Sequence, residues 1–342
     1  MNKIERIRAV MDGRVPDRIP VMTHNFLMAA REGGITMRQF RQSPAEIVRV
    51  LTEACEKYDT DGVLLDVDTA LLASACGADV VYPEDIAAVT LERQKRSIPE
   101  LLEDLDRVEL EKHPRIQLYL EALERLSDWG RRNGVFVRGN ADQGSFSLAC
   151  LLTGMNQFLE DLLDEDCEED ILRLLEATLQ ISLQMHRLCH RAGADCTSYG
   201  NSSEGCSVIS PAMFRKFAKP FETRMAAQLK AEGIFTICHI CGSVDLILED
   251  LTQTGCPMYE LDYKTDIVRA KEMARGHFAI SGNIDPTLFT TGTPEDIRRV
   301  TRALCDLYRN EGGLMIGPGC ALGPNTSPEN LFAFVDTVKR FG

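Results

Sequence analysis

Residues 237–244, ICHICGSV, bring Cys238, His239 and Cys241 together directly after the apolar run GIFT. The spacing admits three chemistries: a C-x-x-C redox pair, part of a metal site, or soft side chains packed in a core. Reactive C-x-x-C pairs sit at helix N-termini, where the dipole stabilises a thiolate. This one ends a strand-like run instead. Side chains alternate faces along a strand, so His239 and Cys241 share one face while Cys238 and Ile240 take the other. The useful pair is H-x-C, with Cys238 a bystander. A strand-end imidazole and thiolate are two of the three protein ligands of a catalytic zinc site, whose fourth position stays open. Cys320 offers the third, at the end of the run LMIGPGC, where Gly317, Pro318 and Gly319 make a turn of little side-chain bulk. On residue types alone, a zinc site and a set of buried structural cysteines both stand.

Other polar residues fall at the ends of strand-like runs and are candidates to line a substrate pocket. Asp66 and Asp68 follow the first run, Asn140, Asp142 and Gln143 the second, Tyr199 and Asn201 the third, and Asn283 and Asp285 a later one. Turn-shaping is the alternative duty for each, notably for Asp285 before Pro286. Glu260 and Asp262 lie two apart in MYELDY, on one face of another expected strand, and either could supply a carboxylate at or beside a metal. Two tempting motifs fail. GPGCALG has its third glycine misplaced for a dinucleotide fingerprint, and His186 and His190 lack the Glu of H-E-x-x-H.

These residues need a scaffold that delivers strand ends to one place. Apolar runs bracketed by Gly, Asn or Asp recur as GVLLDVDT, GVFVRGNAD, GADCTSYGN, GIFTICHI, PMYELDY, HFAISGNID and GGLMIGPG. Continuous apolar character fits parallel strands buried on both faces. Between them lie helices with strong start signals: Ser43-Pro44 with Glu46 completing a capping box, then Ser210-Pro211, Thr293-Pro294 and Ser327-Pro328. Ile4, Ile7, Val10 and Met11 stripe a first helix. The alternation predicts a single (β/α)8 TIM-type barrel over 1–342 with an N-terminal helical extension over residues 1–60; a doubly wound open sheet is the competitor. Barrel chemistry sits at the C-terminal ends of the strands, where His239, Cys241 and Cys320 fall.

The 342 residues are 44% hydrophobic and 26% charged, with a formal net charge of −14. That balance argues against broad binding to nucleic acid or anionic lipid. No run approaches the ~18 apolar residues of a membrane span, and the charged start MNKIERIRAVMDGR is unlike a secretory signal. Twelve cysteines in such a chain lead us to expect a reducing, cytoplasmic location.

The stretches HICGSVDLILEDLTQTG, ISGNIDPTLFTTGTPEDIRRV and GGLMIGPGCALGPNTSPENLFAFVDTVKRFG resemble the uroporphyrinogen decarboxylase superfamily. Within it they resemble the zinc-dependent corrinoid methyltransferases of the methylcobamide:coenzyme M type. The likeness runs from RIRAVMDGRVPDRIPV to the C-terminus, with its specific motifs after residue 230. The branch's zinc signature falls on His239, Cys241 and Cys320, and its usual Asp puts Asp262 ahead of Glu260 as a fourth ligand. The resemblance implies a (β/α)8 barrel, Zn2+, and methyl transfer between a methylcobamide or cobalamin carried by a corrinoid-binding partner protein and a small-molecule acceptor, most plainly a thiol. Transfer from a donor onto the corrinoid, or to a reduced pterin, are the alternatives within it. A decarboxylase would carry MRQAGR near its N-terminus, whereas this chain has Met37-Arg38-Gln39 followed by Phe40-Arg41. A non-enzymatic corrinoid-protein scaffold with a structural metal is the third reading.

Overall fold

A computed structural model describes residues 1–91 and 97–342 of the chain. All seven apolar runs form strands. In chain order the strands are β1 (Gly62–Leu65), β2 (Val80–Val81), β3 (Val89–Thr90), β4 (Phe136–Gln143), β5 (Cys196–Gly200), β6 (Thr236–Ile240), β7 (Met258–Leu261), β8 (Ala279–Ile284) and β9 (Leu314–Pro318). Seven of them pair in parallel in the order β1-β4-β5-β6-β7-β8-β9, with helices between successive strands; β2 and β3 form a separate antiparallel pair.

The eighth stave comes from within the segment expected to be a helical extension. Val21 bridges Ile316 of β9 in parallel. The Met22 amide donates to the Ile316 carbonyl at 3.1 Å, and the Ile316 amide to the Pro20 carbonyl at 2.9 Å. On the other side the Asp61 amide, just before β1, donates to the Val21 carbonyl at 2.9 Å. Residues 20–22 thus join β9 to β1, and the sheet closes into a (β/α)8 TIM-type barrel. The approach is tight: a Cβ on Gly317 would lie 2.5 Å from the Met22 carbonyl oxygen, which is why only glycine fits there.

The end of the barrel away from the strand C-termini is filled with hydrocarbon. Ile7 and Val10 of the first helix, Lys3–Met11, plug it against Met22, Leu64, Phe136, Ile237, Met258 and Met315. The expected caps form: Ser210, Thr293 and Ser327 each accept a backbone hydrogen bond at a helix start followed by proline. Ser43 accepts from the Glu46 amide at 3.3 Å, but the Glu46 carboxylate turns to Arg49 instead of completing the box. Among the described residues, no helix is long and apolar enough to cross a membrane.

Closure is secured by one fully buried carboxylate. Asp61 accepts from Arg6 Nη1 at 2.7 Å, from Arg18 Nη1 and Nη2 at 2.7 and 2.9 Å, and from the Val21 amide at 2.8 Å. Removing one member of a buried ion pair leaves its partner charged and unpaired, which costs about 3–5 kcal/mol. Asp61→Asn should therefore lower the urea-unfolding free energy by about that amount. A loss below about 1 kcal/mol, the range of an exposed pair, would contradict this mode of closure.

Candidate metal centre

β6 carries His239 one residue before its end at Ile240, and Cys241 follows directly; Cys320 lies two residues past the end of β9 at Pro318. Three strand steps separate β6 from β9, a span of roughly 14 Å in a flat sheet. Barrel curvature removes that distance. His239, Cys241 and Cys320 bring one ligand atom each to within 4.8 Å of one another, and all three residues are half-buried. Cys241 Sγ lies 3.1 Å from His239 Nε2, and the Ser202 hydroxyl donates to the same sulfur at 3.3 Å. His239 Nδ1 lies 3.0 Å from the Glu260 carbonyl oxygen. That contact assigns the ring proton to Nδ1 and leaves Nε2 as a free ligand, the usual way a protein orients a metal-binding imidazole.

The electrostatics describe a centre that attracts positive charge. A hydrogen bond from Cys320 is the largest influence on Cys241 and, with His239, draws its thiol down to about 3. The same bond pushes Cys320 up. Burial by itself would lower His239, yet Cys241 and Glu260 together raise it to about 9. Protons thus bridge three groups that become two thiolates and a neutral imidazole once a cation replaces them. Such a set balances a divalent ion and matches a three-ligand zinc site with one position open. The residues fit zinc.

The two carboxylates expected near the metal have other duties. Asp262, placed ahead as fourth ligand, is committed to the backbone: Oδ2 accepts from the Gly242 amide at 2.9 Å and Oδ1 from the Lys264 amide at 3.0 Å. It holds the turn after Cys241, where Gly242 takes a φ of 81°. Glu260 accepts from Arg138 across the barrel interior, and its other oxygen lies 3.6 Å from His239 Nδ1. Burial would raise its carboxyl, but Arg138 and His239 outweigh that and hold it at about 2. Glu260 supports the imidazole; neither carboxylate belongs to the ligand cluster.

The pocket candidates divide. Asp66 meets His24 Nε2 at 2.7 Å, Asp68 pairs with Arg115, and Ser198 donates to Asn140 at 3.3 Å. Asp142 is tied to the Leu72 amide at 2.6 Å, and burial pushes its carboxyl well up; Gln143 donates to the Thr69 carbonyl at 3.1 Å. Asn283 bonds the carbonyls of Asp262 and Thr265. Three depart from expectation. Tyr199 and Asn201 face away from the mouth and bond Glu222 in the layer behind the sheet, because the pleat puts them on its outer side. Asp285 is half-buried and caps its own turn through Thr287. The residues missed were His24, Arg138 and Ser202. His24 follows the stave at residues 20–22, which is too short to show as an apolar run. A cavity of about 740 Å³ opens at the opposite end beside Val10, Lys271 and His277, away from His239, Cys241 and Cys320.

Comparison with known proteins adds to this geometry. The sequence model of the family described as uroporphyrinogen decarboxylase (URO-D) matches residues 2–341. Methylcobamide:CoM methyltransferase MtbA from Methanosarcina acetivorans is 24% identical over 349 residues, covering 98% of this chain and 97% of that protein. Uroporphyrinogen decarboxylase from Burkholderia thailandensis is 34% identical over 137 residues, 39% of this chain and 37% of that one. Among solved structures, a methyltransferase from Methanosarcina mazei superposes with a TM-score of 0.87 at 19% identity, covering 100% of this chain and 99% of that one. A B12-independent methionine synthase from Shewanella gives a TM-score of 0.57 at 11% identity, with 94% and 96% covered. These structural likenesses establish the fold.

Two outcomes follow from the centre's chemistry. The metal competes with protons for its ligands, so affinity for added Zn2+ should rise with pH, measured by competition with a chromophoric chelator. A pH-independent affinity would contradict the assigned ligand set. Glu260 is depressed from its ordinary 4.5 to about 2, so its pairing contributes stability above pH 4.5 that is lost as pH falls toward 2. Glu260→Gln should flatten that acid limb in pH-dependent unfolding and, by stranding Arg138, cost about 3–5 kcal/mol. An unchanged limb would exclude the pair as its source.

Proposed function

The chain belongs to the uroporphyrinogen decarboxylase family, and from that premise we propose that it is a zinc-dependent methyltransferase moving a methyl group between a corrinoid protein and a small acceptor. The observation that carries this reading is the half-buried set of His239, Cys241 and Cys320, whose three ligand atoms lie within 4.8 Å of one another. The likeness to methylcobamide:CoM methyltransferase MtbA over 98% of the chain supports it.

His239, Cys241 and Cys320 would hold the zinc, which when bound lowers the pKa of a thiol from its usual ~8.5 and keeps the sulfur nucleophilic. The chain's own groups prepare that position. The Glu260 carbonyl fixes the imidazole, and Arg138 neutralises the Glu260 carboxylate beneath it. Ser202 donates to Cys241 and tempers the charge on that sulfur. Partial burial of the ligands limits competing water while leaving the mouth open to a partner that presents a corrinoid. A thiol is the acceptor best matched to two thiolates and an imidazole, since it needs deprotonation and a soft ligand set suits sulfur. A non-thiol acceptor such as a reduced pterin, or transfer from a donor to the corrinoid, would use the same centre.

Decarboxylation fits less well. A polycarboxylate substrate needs free clustered arginines. Arg38 is paired with Glu84, and Arg41 is spent on the carbonyls of Pro83 and Ile86. A purely structural metal fits less well, because structural zinc sites are closed by four ligands and, among the described residues, three gather here.

Cys320→Ala tests the proposal. The variant should lose the mouth zinc and reduce methyl transfer from a methylated corrinoid protein by at least about a hundredfold, the scale of losing an activating group. Full activity in a zinc-free protein would sink it.

A further inference from the structure

On the outer face of the same wall a second set of soft and acidic side chains converges. Cys238 precedes His239 on β6, so the pleat turns it away from the mouth and toward the Lys219–Ala231 helix. There its sulfur, one oxygen of Glu222 from that helix and one oxygen of Glu204 from the Ser202–Glu204 turn lie within 4.8 Å of one another. Cys238, Glu204 and Glu222 are 0%, 1% and 2% exposed, so all three are shut off from bulk water.

Their partners are unequal. Glu222 accepts from the Tyr199 hydroxyl at 2.6 Å and from the Asn201 amide. Neither oxygen of Glu204 has a hydrogen-bond partner. The Asn201 amide is near enough to favour ionised Glu204, yet its hydrogen bond goes to Glu222. Of the flanking helix's three cations, Lys219 is engaged with Asp250 and Gln253, Arg224 with Glu176, and Lys230 is exposed at the helix's far end.

Two carboxylates sealed in a dry interior must be neutralised by protons or by a cation. A proton shared between two carboxylates makes a short bond of about 2.5–2.7 Å. No such bond reaches Glu204. A bare, fully buried carboxylate aimed at a second carboxylate and a sulfur is the arrangement of ligands around an ion.

We propose that Glu204, Glu222 and Cys238 form a second, enclosed site for a divalent cation, behind the barrel wall and separate from the centre at the mouth. Two carboxylate oxygens and one thiolate favour a borderline ion such as Zn2+ over Mg2+ or Ca2+, which take oxygen alone. On binding, the thiol proton of Cys238 and the protons that neutralise the carboxylates of the empty site leave to solvent. Two carboxylates and a thiolate leave one net negative charge around a divalent ion, which the Tyr199 and Asn201 donors stabilise. Enclosure gives the ion a structural role, since it ties strand, helix and turn together. The same turn carries Ser202, whose hydroxyl touches Cys241, so the buried ion holds in place a donor to the mouth. The inference is independent of the methyltransferase reading.

The test counts Co2+ bound per chain to metal-free protein, with the thiolate-to-cobalt absorption band as a second readout, in wild type, Cys320→Ala and Glu204→Gln. Two equivalents in wild type and one in each variant are expected, with the band persisting in Cys320→Ala. A single equivalent in wild type, kept by Cys320→Ala and lost by Glu204→Gln, would support the buried site while removing the mouth centre. A single equivalent in wild type, lost in Cys320→Ala, would overturn the proposal. So would an infrared band of a protonated carboxyl in cobalt-loaded wild type that Glu204→Gln abolishes. Anomalous diffraction at the cobalt edge from wild-type crystals decides the matter without a variant: a peak among Glu204, Glu222 and Cys238 supports the site, and its absence rejects it.

Discussion

Every feature of the mouth depends on closure of the strand ring. His239 and Cys320 sit three strands apart, and only a curved wall brings their ligand atoms together. Curvature is held where the ring is weakest, at the short stave of residues 20–22 between β9 and β1. Asp61 binds that stave through its own amide and through the Val21 amide, while Arg6 and Arg18 converge on its carboxylate. A carboxylate buried this deeply is tolerable because two guanidiniums and a backbone donor surround it. The first helix supplies Arg6 as well as the apolar plug, so one element both fills and fastens the barrel.

Above the plug the interior changes character in steps. Hydrocarbon gives way to the Arg138–Glu260 pair, and that pair to the imidazole and two thiols. Each step prepares the next. Arg138 keeps Glu260 ionised, Glu260 steadies His239 through its carbonyl and its charge, and His239 presents Nε2 to the sulfurs. The order explains why Glu260 supports the centre without joining it: its carboxylate already balances an arginine in a region too dry to leave that charge alone.

Much of this was legible in the sequence because it rests on local, periodic signals. Continuous apolar runs marked all seven named strands of the parallel sheet, cap-then-proline pairs marked helix starts, and period-two alternation separated Cys238 from His239 and Cys241. What escaped depends on contacts between distant segments. Residues 20–22 pair over too few positions to make a run, and Pro20 disguises them further, so His24 stayed unassigned. Asp262 lost its expected role to two loop amides, Gly242 and Lys264, that no spacing reveals. Cys238 looked like a bystander because Glu204 and Glu222 reach it from a turn and a helix with no motif of their own. Tyr199 and Asn201 belong to that same outer layer.

The decisive experiment is X-ray absorption at the zinc edge, on metal-free protein loaded with one equivalent of zinc and then exposed to a panel of thiols. Zinc bound by two sulfurs and one imidazole nitrogen is expected, gaining a third sulfur with the thiol that is the acceptor. Zinc with fewer than two sulfurs, or no zinc retained, would contradict the assignment of His239, Cys241 and Cys320 as the catalytic metal ligands.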